Sequence, residues 1–128
     1  MSSAIGPTLF AQEVMITVEE NSTVIANWSP AVVLEYFQVV EEQRKDLHIF
    51  NRSRYEVARF YFLWRDGLPT TEILQTISEE ELAQVEQFAA EGPVYIVEYD
   101  PLFLDQYRFQ PIGNYFKLIV REIGKPIP

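Results

Sequence analysis

Cysteine, basic side chains and long hydrophobic runs are what this sequence has least of, and each shortage excludes a class of function. Without cysteine the chain has no disulfide, thiolate nucleophile or zinc–thiolate site. Its 10 lysines and arginines face 19 aspartates and glutamates, and the formal net charge of −9 repels phosphate backbones and anionic lipid heads. No stretch approaches the roughly 20 apolar residues that span a bilayer. We therefore expect a soluble chain without nucleic-acid partners or direct membrane insertion.

The turns after the predicted strands lack the motifs of nucleotide binding and of common hydrolases. A dinucleotide site needs glycines between its first strand and helix, so that the backbone can approach the pyrophosphate. The corresponding turn here is Asn27-Trp28-Ser29-Pro30, where the bulky Trp28 blocks that approach. Neither a GxxxxGK[ST] loop nor a G-x-S-x-G nucleophile elbow occurs. The sequence therefore predicts no cofactor and no catalytic motif.

Histidine is represented by His48 alone, inside the apolar run Leu47 to Phe50. We expect this run to be a buried strand and His48 to be a core or face-lining residue. With no cysteine and no second histidine, a transition-metal site would need carboxylates alone. No metal site is predicted.

Length and patterning fit one globular domain. The 128 residues are 48% hydrophobic and 23% charged, so we expect a single domain over 1–128 with flexible ends at about 1–7 and 123–128. Apolar runs at 23–27, 47–50 and 94–97 predict buried strands, and alternation at 107–111 and 115–122 predicts a hairpin. Helical periodicity between these runs is typical of a parallel sheet with right-handed crossovers. We predict an α/β fold, a reduced Rossmann-like three-layer sandwich, with strand order 2-1-3 extended by the hairpin.

Capping residues set the expected helix starts. Ser29, followed by Pro30, predicts a helix that runs to about Lys45. The segments 53–56 and 78–81 each match the Ser-x-x-Glu capping box, which predicts that helices open at both places. The second box then separates a short helix at 70–77 from a longer one. Its three glutamates are interpreted as a helix start without a functional role.

Polar and aromatic side chains follow the three predicted parallel strands. Because ligands of open α/β sheets bind at the carboxyl ends of the strands, we predict a binding crevice there. Within it Arg52 is either an anion anchor or a surface ion pair. Glu98 and Asp100 are either solvated strand ends or the acids of a small hydrolase. The predicted crevice residues are Asn27, Trp28, Asn51, Arg52, Tyr99 and Asp100.

Aromatic residues are concentrated in one predicted helix. The run Arg59 to Trp64 contains four rings within six residues. A helix that is apolar nearly all round is either buried in a core or part of a partner-binding face. Both alternatives remain open, and the interface alternative would use Phe60, Tyr61 and Trp64.

Three segments together resemble a family of large membrane proteins. They are the stretch Thr23 to Asn51, with its Leu-Glu-Tyr-Phe-Gln-Val-Val-Glu helix, the strand Gly92 to Val97, and the closing segment Tyr107 to Leu118. In this order they resemble the soluble C-terminal domain of uncharacterised multi-spanning proteins related to protein O-mannosyltransferases, of the C-class glycosyltransferase type. The resemblance covers residues 8 to 122. The chain departs from it at Gly92, where the family often has arginine, and in its aromatic helix.

The resemblance implies architecture and context, but no catalytic residue. It implies a non-catalytic accessory or binding domain beside a membrane-embedded transferase portion, on the extracytoplasmic side. The alternative is a free-standing domain that binds a small ligand or a protein, which would be cytoplasmic. The partners that these hypotheses allow are the transferase portion, another protein, or a second copy in a homodimer.

Overall fold

The computed structural model describes residues 6–121, which form five helical segments and five strands. Of the ends expected to be flexible, Gly6 precedes the first helix and Pro7 opens it, and the other residues lie outside the described part. The elements in chain order are α1 (Pro7–Thr17), β1 (Thr23–Ala26), α2 (Trp28–Val39), β2 (His48–Asn51), α3 (Arg52–Arg65), α4 (Thr70–Glu91), β3 (Val94–Ile96), a 3-10 turn (Pro101–Phe103), β4 (Tyr107–Ile112) and β5 (Tyr115–Val120).

The strands form one mixed sheet in the order β2-β1-β3-β5-β4. Strand β1 is central and pairs in parallel with β2 and β3, with Ile25 opposite both Phe50 and Ile96. Strand β5 pairs antiparallel with β3 and with β4. The predicted α/β fold is therefore confirmed, including the 2-1-3 order of the parallel strands and the hairpin beyond β3.

Two apolar cores lie on opposite faces of the sheet, which makes the domain three layers thick. On one face, Val24 and Tyr95 pack against α1 and α2. On the other, Ile25 and Ile96 pack against α4 and the 3-10 turn. Alternate residues of β1 serve opposite cores because side chains of a strand point to its two faces in turn. This explains why all four residues of β1 are buried.

Two helices begin earlier than their capping patterns predicted. Helix α2 starts at Trp28 after Asn27, not after Ser29, and it ends at Val39 rather than near Lys45. Helix α3 starts at Arg52, because the side-chain oxygen of Asn51 accepts a hydrogen bond from the backbone N–H of Arg54. The prediction that Ser53 caps this helix is therefore wrong. Its real counterpart is an asparagine cap at the last residue of β2.

The predicted break at residue 78 does not exist. Helix α4 is continuous through the Ser-Glu-Glu-Glu segment and buries Ile73, Ile77, Glu81 and Val85, which recur at intervals of four residues. This spacing aligns the four side chains on one face of the helix. The consequence is that Glu81, interpreted from sequence as part of a helix start without a functional role, is a buried acid.

The core alternative for His48 is wrong, and the strand that contains it is only partly buried. Strand β2 lies at the edge of the sheet, and His48 at its start is exposed, while Ile49 and Phe50 are half-buried. The His48 ring contacts the ring of Phe88 edge-on at 5.1 Å. An edge strand has a neighbour on one side only, so an apolar run there need not be fully covered. His48 is also at the opposite end of β2 from the predicted crevice.

Candidate binding cleft

The carboxyl ends of the three parallel strands bring part of the predicted crevice together. Arg52 directly follows β2, and Asp100 lies four residues after β3. Their side chains meet, with Arg52 Nη1 at 2.6 Å from Asp100 Oδ2. Asp100 also accepts a hydrogen bond from the backbone N–H of Leu102, which caps the 3-10 turn. These two of the six predicted residues therefore form one site.

The other predicted crevice residues outside this pair make different side-chain contacts. The amide of Asn27 donates to Glu98 at 2.7 Å and accepts from the hydroxyl of Ser53. Trp28 is about half exposed at the start of α2. Tyr99 turns towards the hairpin, where its ring centroid is 5.0 Å from that of Phe109. Asn27 also lines a small pocket of about 10 Å³ together with Arg52 and Glu98, whereas Trp28 and Tyr99 do not line it.

Asn51 is the least accessible of the predicted residues. It is 6% exposed, and its oxygen caps α3. Its Nδ2 is buried and has no hydrogen-bond partner among the described residues. The cap requires the oxygen to face the helix, which directs the amide nitrogen away from it. Asn51 therefore positions Arg52 and does not itself line the cleft described below.

Three carboxylates surround the guanidinium of Arg52. Its Nε donates to Glu81 Oε2 at 2.7 Å, and its Nη2 donates to Glu81 Oε1 at 3.3 Å. Glu56 lies one helical turn after Arg52 on α3, with its Oε2 at 3.3 Å from Nε. Together with Asp100, these contacts engage all three guanidinium nitrogens. Phe103 packs beneath the group, with its ring centroid 5.2 Å from the Arg52 Cζ.

Burial dominates the electrostatics of this acidic cluster, which consists of Glu56, Glu81 and Asp100 around Arg52. The side chain of Glu81 is 2% exposed. Burial raises its pKa to about 7, helped by the neighbouring Glu56 carboxylate and opposed by Arg52. Burial works to lower the pKa of Arg52, but the hydrogen bonds and charges of Glu81 and Asp100 outweigh it and raise that pKa. Arg52 is therefore cationic, whereas Glu81 titrates near neutral pH.

A cleft of about 410 Å³ opens above this cluster, between α3, α4 and the 3-10 turn. Its volume is within the range typical of ligand pockets. The acidic cluster forms its polar part, and most of the remaining lining is apolar. The lining residues are Arg52, Glu56, Val57, Phe60, Leu74, Ile77, Ser78, Glu81, Asp100 and Leu102.

The aromatic helix α3 lies on the surface, since none of its residues is buried. Its core alternative is therefore excluded. Phe60 is half-buried and lines the cleft, while Tyr61 and Trp64 are 53% and 61% exposed. Val57 lines the cleft from the turn before them and is itself largely exposed. Their spacing places Val57, Phe60, Tyr61 and Trp64 side by side on the helix, and we call this set the α3 apolar face.

The opposite side of α3 is held to α4 by a polar network. Arg59 donates from Nε and Nη2 to the two oxygens of Glu80, both at 2.9 Å. The hydroxyl of Tyr55 donates to the same carboxylate at 2.7 Å. These bonds lower the pKa of Glu80, Arg59 being the largest cause, while burial and Glu80 raise the pKa of Tyr55 to about 12. The network fixes the orientation of α3, so the apolar face stays directed outward.

Glu98 and Asp100, the acids of the predicted hydrolase, belong to different groups of contacts. Glu98 is exposed and bonded to Asn27, whereas Asp100 is paired with Arg52. The structure joins each to a different partner and gives no shared site for acid–base work. Glu81 and Glu56, which the capping patterns assigned to helix starts, are the acids that lie together. Ile73 and Ile77 are four residues apart and Val85 follows eight residues later, a spacing that points to a buried position 81.

Comparisons with known proteins do not place this chain in a family. No family model matches it, and neither the curated proteins nor the solved structures contain a match. Within residues 6–121, none of the helices has the length and hydropathy to cross a membrane. In the same part of the chain, no group of three or more histidine, cysteine or acidic side chains has the geometry to hold a metal ion.

Proposed function

We propose that this domain is a binding module that holds an apolar segment of a protein partner in the cleft between α3 and α4. The observation that carries the proposal is the cleft itself, with apolar walls, a charged floor and an exposed apolar face beside it. The cleft also lies at the carboxyl ends of the parallel strands, where open α/β sheets bind their ligands. The proposal assigns no catalytic residue.

The apolar surface extends beyond the cleft, which favours a protein segment as its occupant. Tyr61 and Trp64 continue the α3 apolar face past the residues that line the cleft. Leu74 lines the cleft from α4 and is 56% exposed. Burying one such large side chain contributes roughly 1.5 to 3 kcal/mol to binding, before the loss of motional freedom is subtracted. A partner that covers several of them therefore gains enough to bind reversibly.

A second exposed apolar surface provides an internal control. On α2, Val32, Tyr36 and Val39 are also exposed, and Val39 is 77% exposed. None of these three residues lines the cleft between α3 and α4. If hydrophobicity alone decided binding, an apolar probe would bind both surfaces equally. The proposal predicts binding only at the cleft.

The test titrates the isotope-labelled protein with 2-phenylethanol, a neutral probe with an aromatic ring. Binding is monitored through the NMR shifts of the backbone amides. We expect saturable shifts at amides of α3 and α4 around Phe60 and Leu74. We expect no comparable shifts on α2. Equal shifts on both surfaces, or none at the cleft, would refute the proposal.

Two matched serine substitutions sharpen the test. Leu74→Ser removes an exposed apolar wall of the cleft, and Val39→Ser makes the same type of change on α2. Because both side chains are mostly exposed, we expect both variants to fold with little change in stability. Only Leu74→Ser should weaken probe binding, by about threefold or more, as one apolar contact is lost.

The association with a membrane-embedded transferase, which the resemblance to O-mannosyltransferase-related proteins implies, stays a prediction. Support for it would come from membrane-spanning segments encoded in the same gene. A gene without such segments would count against it and leave the free-standing alternative. Neither outcome alters the test of the cleft.

A further inference from the structure

We infer that the partner segment presents a lysine or arginine side chain, whose positive charge binds the acidic cluster at the floor of the cleft. This inference rests on the proposed function, because it names the chemistry of what the cleft binds. It follows from the balance of charges around Arg52, from the exposure of the Glu56 carboxylate and from the extent of the apolar face.

The acidic cluster contains more negative than positive charge. Three carboxylates, those of Glu56, Glu81 and Asp100, contact the one guanidinium of Arg52. Their contacts already engage each nitrogen of Arg52, so an anionic ligand would have to displace a carboxylate from it. A cationic ligand needs no such displacement and reduces the excess negative charge. The whole chain, at a formal net charge of −9, attracts the same class of partner.

Glu56 offers the most accessible acceptor in the cluster. Its side chain is 40% exposed at the rim of the cleft. Its Oε2 faces Arg52 at 3.3 Å, and its carboxylate also lies within hydrogen-bond reach of that of Glu81. Asp100 Oδ2 lies on the other side of the guanidinium. An ammonium or guanidinium group entering the cleft therefore meets a carboxylate oxygen at its mouth and others deeper in.

The cation is organic and belongs to a larger partner. The centre of the three carboxylates, where a metal ion would bind, is already filled by the guanidinium of Arg52. A small amine would fill the cleft but leave Tyr61 and Trp64 uncovered. A protein segment with one basic side chain among apolar ones can pair with the acidic cluster and also cover the apolar walls and the α3 apolar face.

Protonation of Glu81 couples this binding to pH. Arg52 and Glu56 of α3 contact it, and Tyr55 of α3 lies near enough to feel its charge. Asp100, from the loop after β3, binds the same guanidinium of Arg52. When Glu81 is protonated, the cluster carries one negative charge less. A cation therefore binds more tightly as the pH rises through about 7, where Glu81 ionises.

The experiment compares three probes of the same shape by amide NMR: cationic 2-phenylethylamine, neutral 2-phenylethanol and anionic 3-phenylpropionate. We expect the amine to bind the cleft about tenfold more tightly than the alcohol, as for a charge-assisted hydrogen bond, and the acid to bind most weakly. The preference should increase from pH 6 to pH 8, where the amine stays protonated. Equal affinity of amine and alcohol would overturn the inference and leave the proposed function standing. Binding of neither would refute the proposed function.

Two glutamine substitutions separate the cluster from the general acidity of the chain. Glu56→Gln removes the rim carboxylate, whereas Glu79→Gln removes an exposed carboxylate of α4 that does not line the cleft. We expect the first to reduce the preference for the amine by about threefold and the second to leave it unchanged. Equal losses in both variants would show unspecific attraction to the acidic chain and overturn the inference.

A peptide arm tests whether the cation comes from a protein segment. A short amphipathic peptide of leucine and lysine should shift the amides of Tyr61 and Trp64 as well as those of the cleft. Its leucine–glutamine counterpart should bind more weakly. Shifts confined to the cleft, with affinity no better than that of 2-phenylethylamine, would overturn the assignment to a protein segment.

Discussion

The buried Glu81 predicts that the stability of this domain falls as the pH rises from about 5 to about 8. Its pKa is about 7 in the folded protein, against 4.5 for an ordinary glutamate. The folded state therefore holds a proton that the unfolded chain has already released in this range, and the free energy of unfolding decreases with pH. The contribution of Glu81 is fully present below pH 4.5 and is lost as the pH rises through about 7.

The size of this decrease follows from the distance between the two pKa values. A change from 4.5 to about 7 corresponds to roughly 3 kcal/mol. Other perturbed acids act elsewhere: hydrogen bonds from Arg44 are the main cause that lowers the pKa of Asp46 to about 2. The pKa of Glu80 is lowered too. Stability that these groups contribute is lost only as the pH falls below about 4.5, outside the range considered.

Urea unfolding followed by circular dichroism, at intervals between pH 5 and pH 8, measures the decrease. Glu81→Gln removes the titrating group, and the free energy of unfolding should then change little over this range. Glu80→Gln is the control, because this neighbour titrates at lower pH and should leave the decrease intact. Glu56→Gln removes a negative charge beside Glu81, which should lower the pKa of Glu81. The decrease in stability should then occur at lower pH. A wild-type stability that is flat or rises from pH 5 to pH 8 would refute the reasoning.

Two further predictions concern the backbone. Gly113 has φ +60° in the hairpin turn, and an added Cβ there would meet the carboxylate of Glu13. Gly113→Ala should therefore lower the free energy of unfolding by about 1 to 2 kcal/mol in a urea titration. An unchanged midpoint would contradict this. Arg44 donates from Nη1 and Nη2 to backbone carbonyls at and after the end of α1. Arg44→Lys keeps the charge but loses this geometry. It should therefore lower the free energy of unfolding by about 2 kcal/mol, and the melting temperature with it. A melting temperature within error of the wild type would refute that role for Arg44.

The sheet could be predicted from the sequence because its signals are local and agree with one another. Three apolar runs separated by helical segments, together with right-handed crossovers, leave few topologies for β1, β2 and β3. The hairpin followed from the alternation in β4 and β5 and from Gly113 in the turn. Strand exposure was predicted less well: the run that contains His48 has the composition of a buried strand, although the predicted 2-1-3 order already placed it at the edge of the sheet.

Helix starts were predicted less well, since different residues can cap the same turn. Asn51 caps α3 although Ser53 two residues later offers a complete capping box. The candidate site was missed for a related reason. Glu81 belongs to an apparent capping box, yet Ile73, Ile77 and Val85 bind α4 to the core as one continuous helix. Burial of a charge becomes visible only when Arg52 is brought opposite it by the folding of β2 and β3 into one sheet.

The most direct measurement of the central claim is a crystal structure of the protein with 2-phenylethylamine. We predict that the ring lies in the α3–α4 cleft, between Phe60 and Leu74, with its ammonium group within hydrogen-bond distance of Glu56 or Asp100. An empty cleft, or a probe found only on the exposed face of α2, would contradict the account.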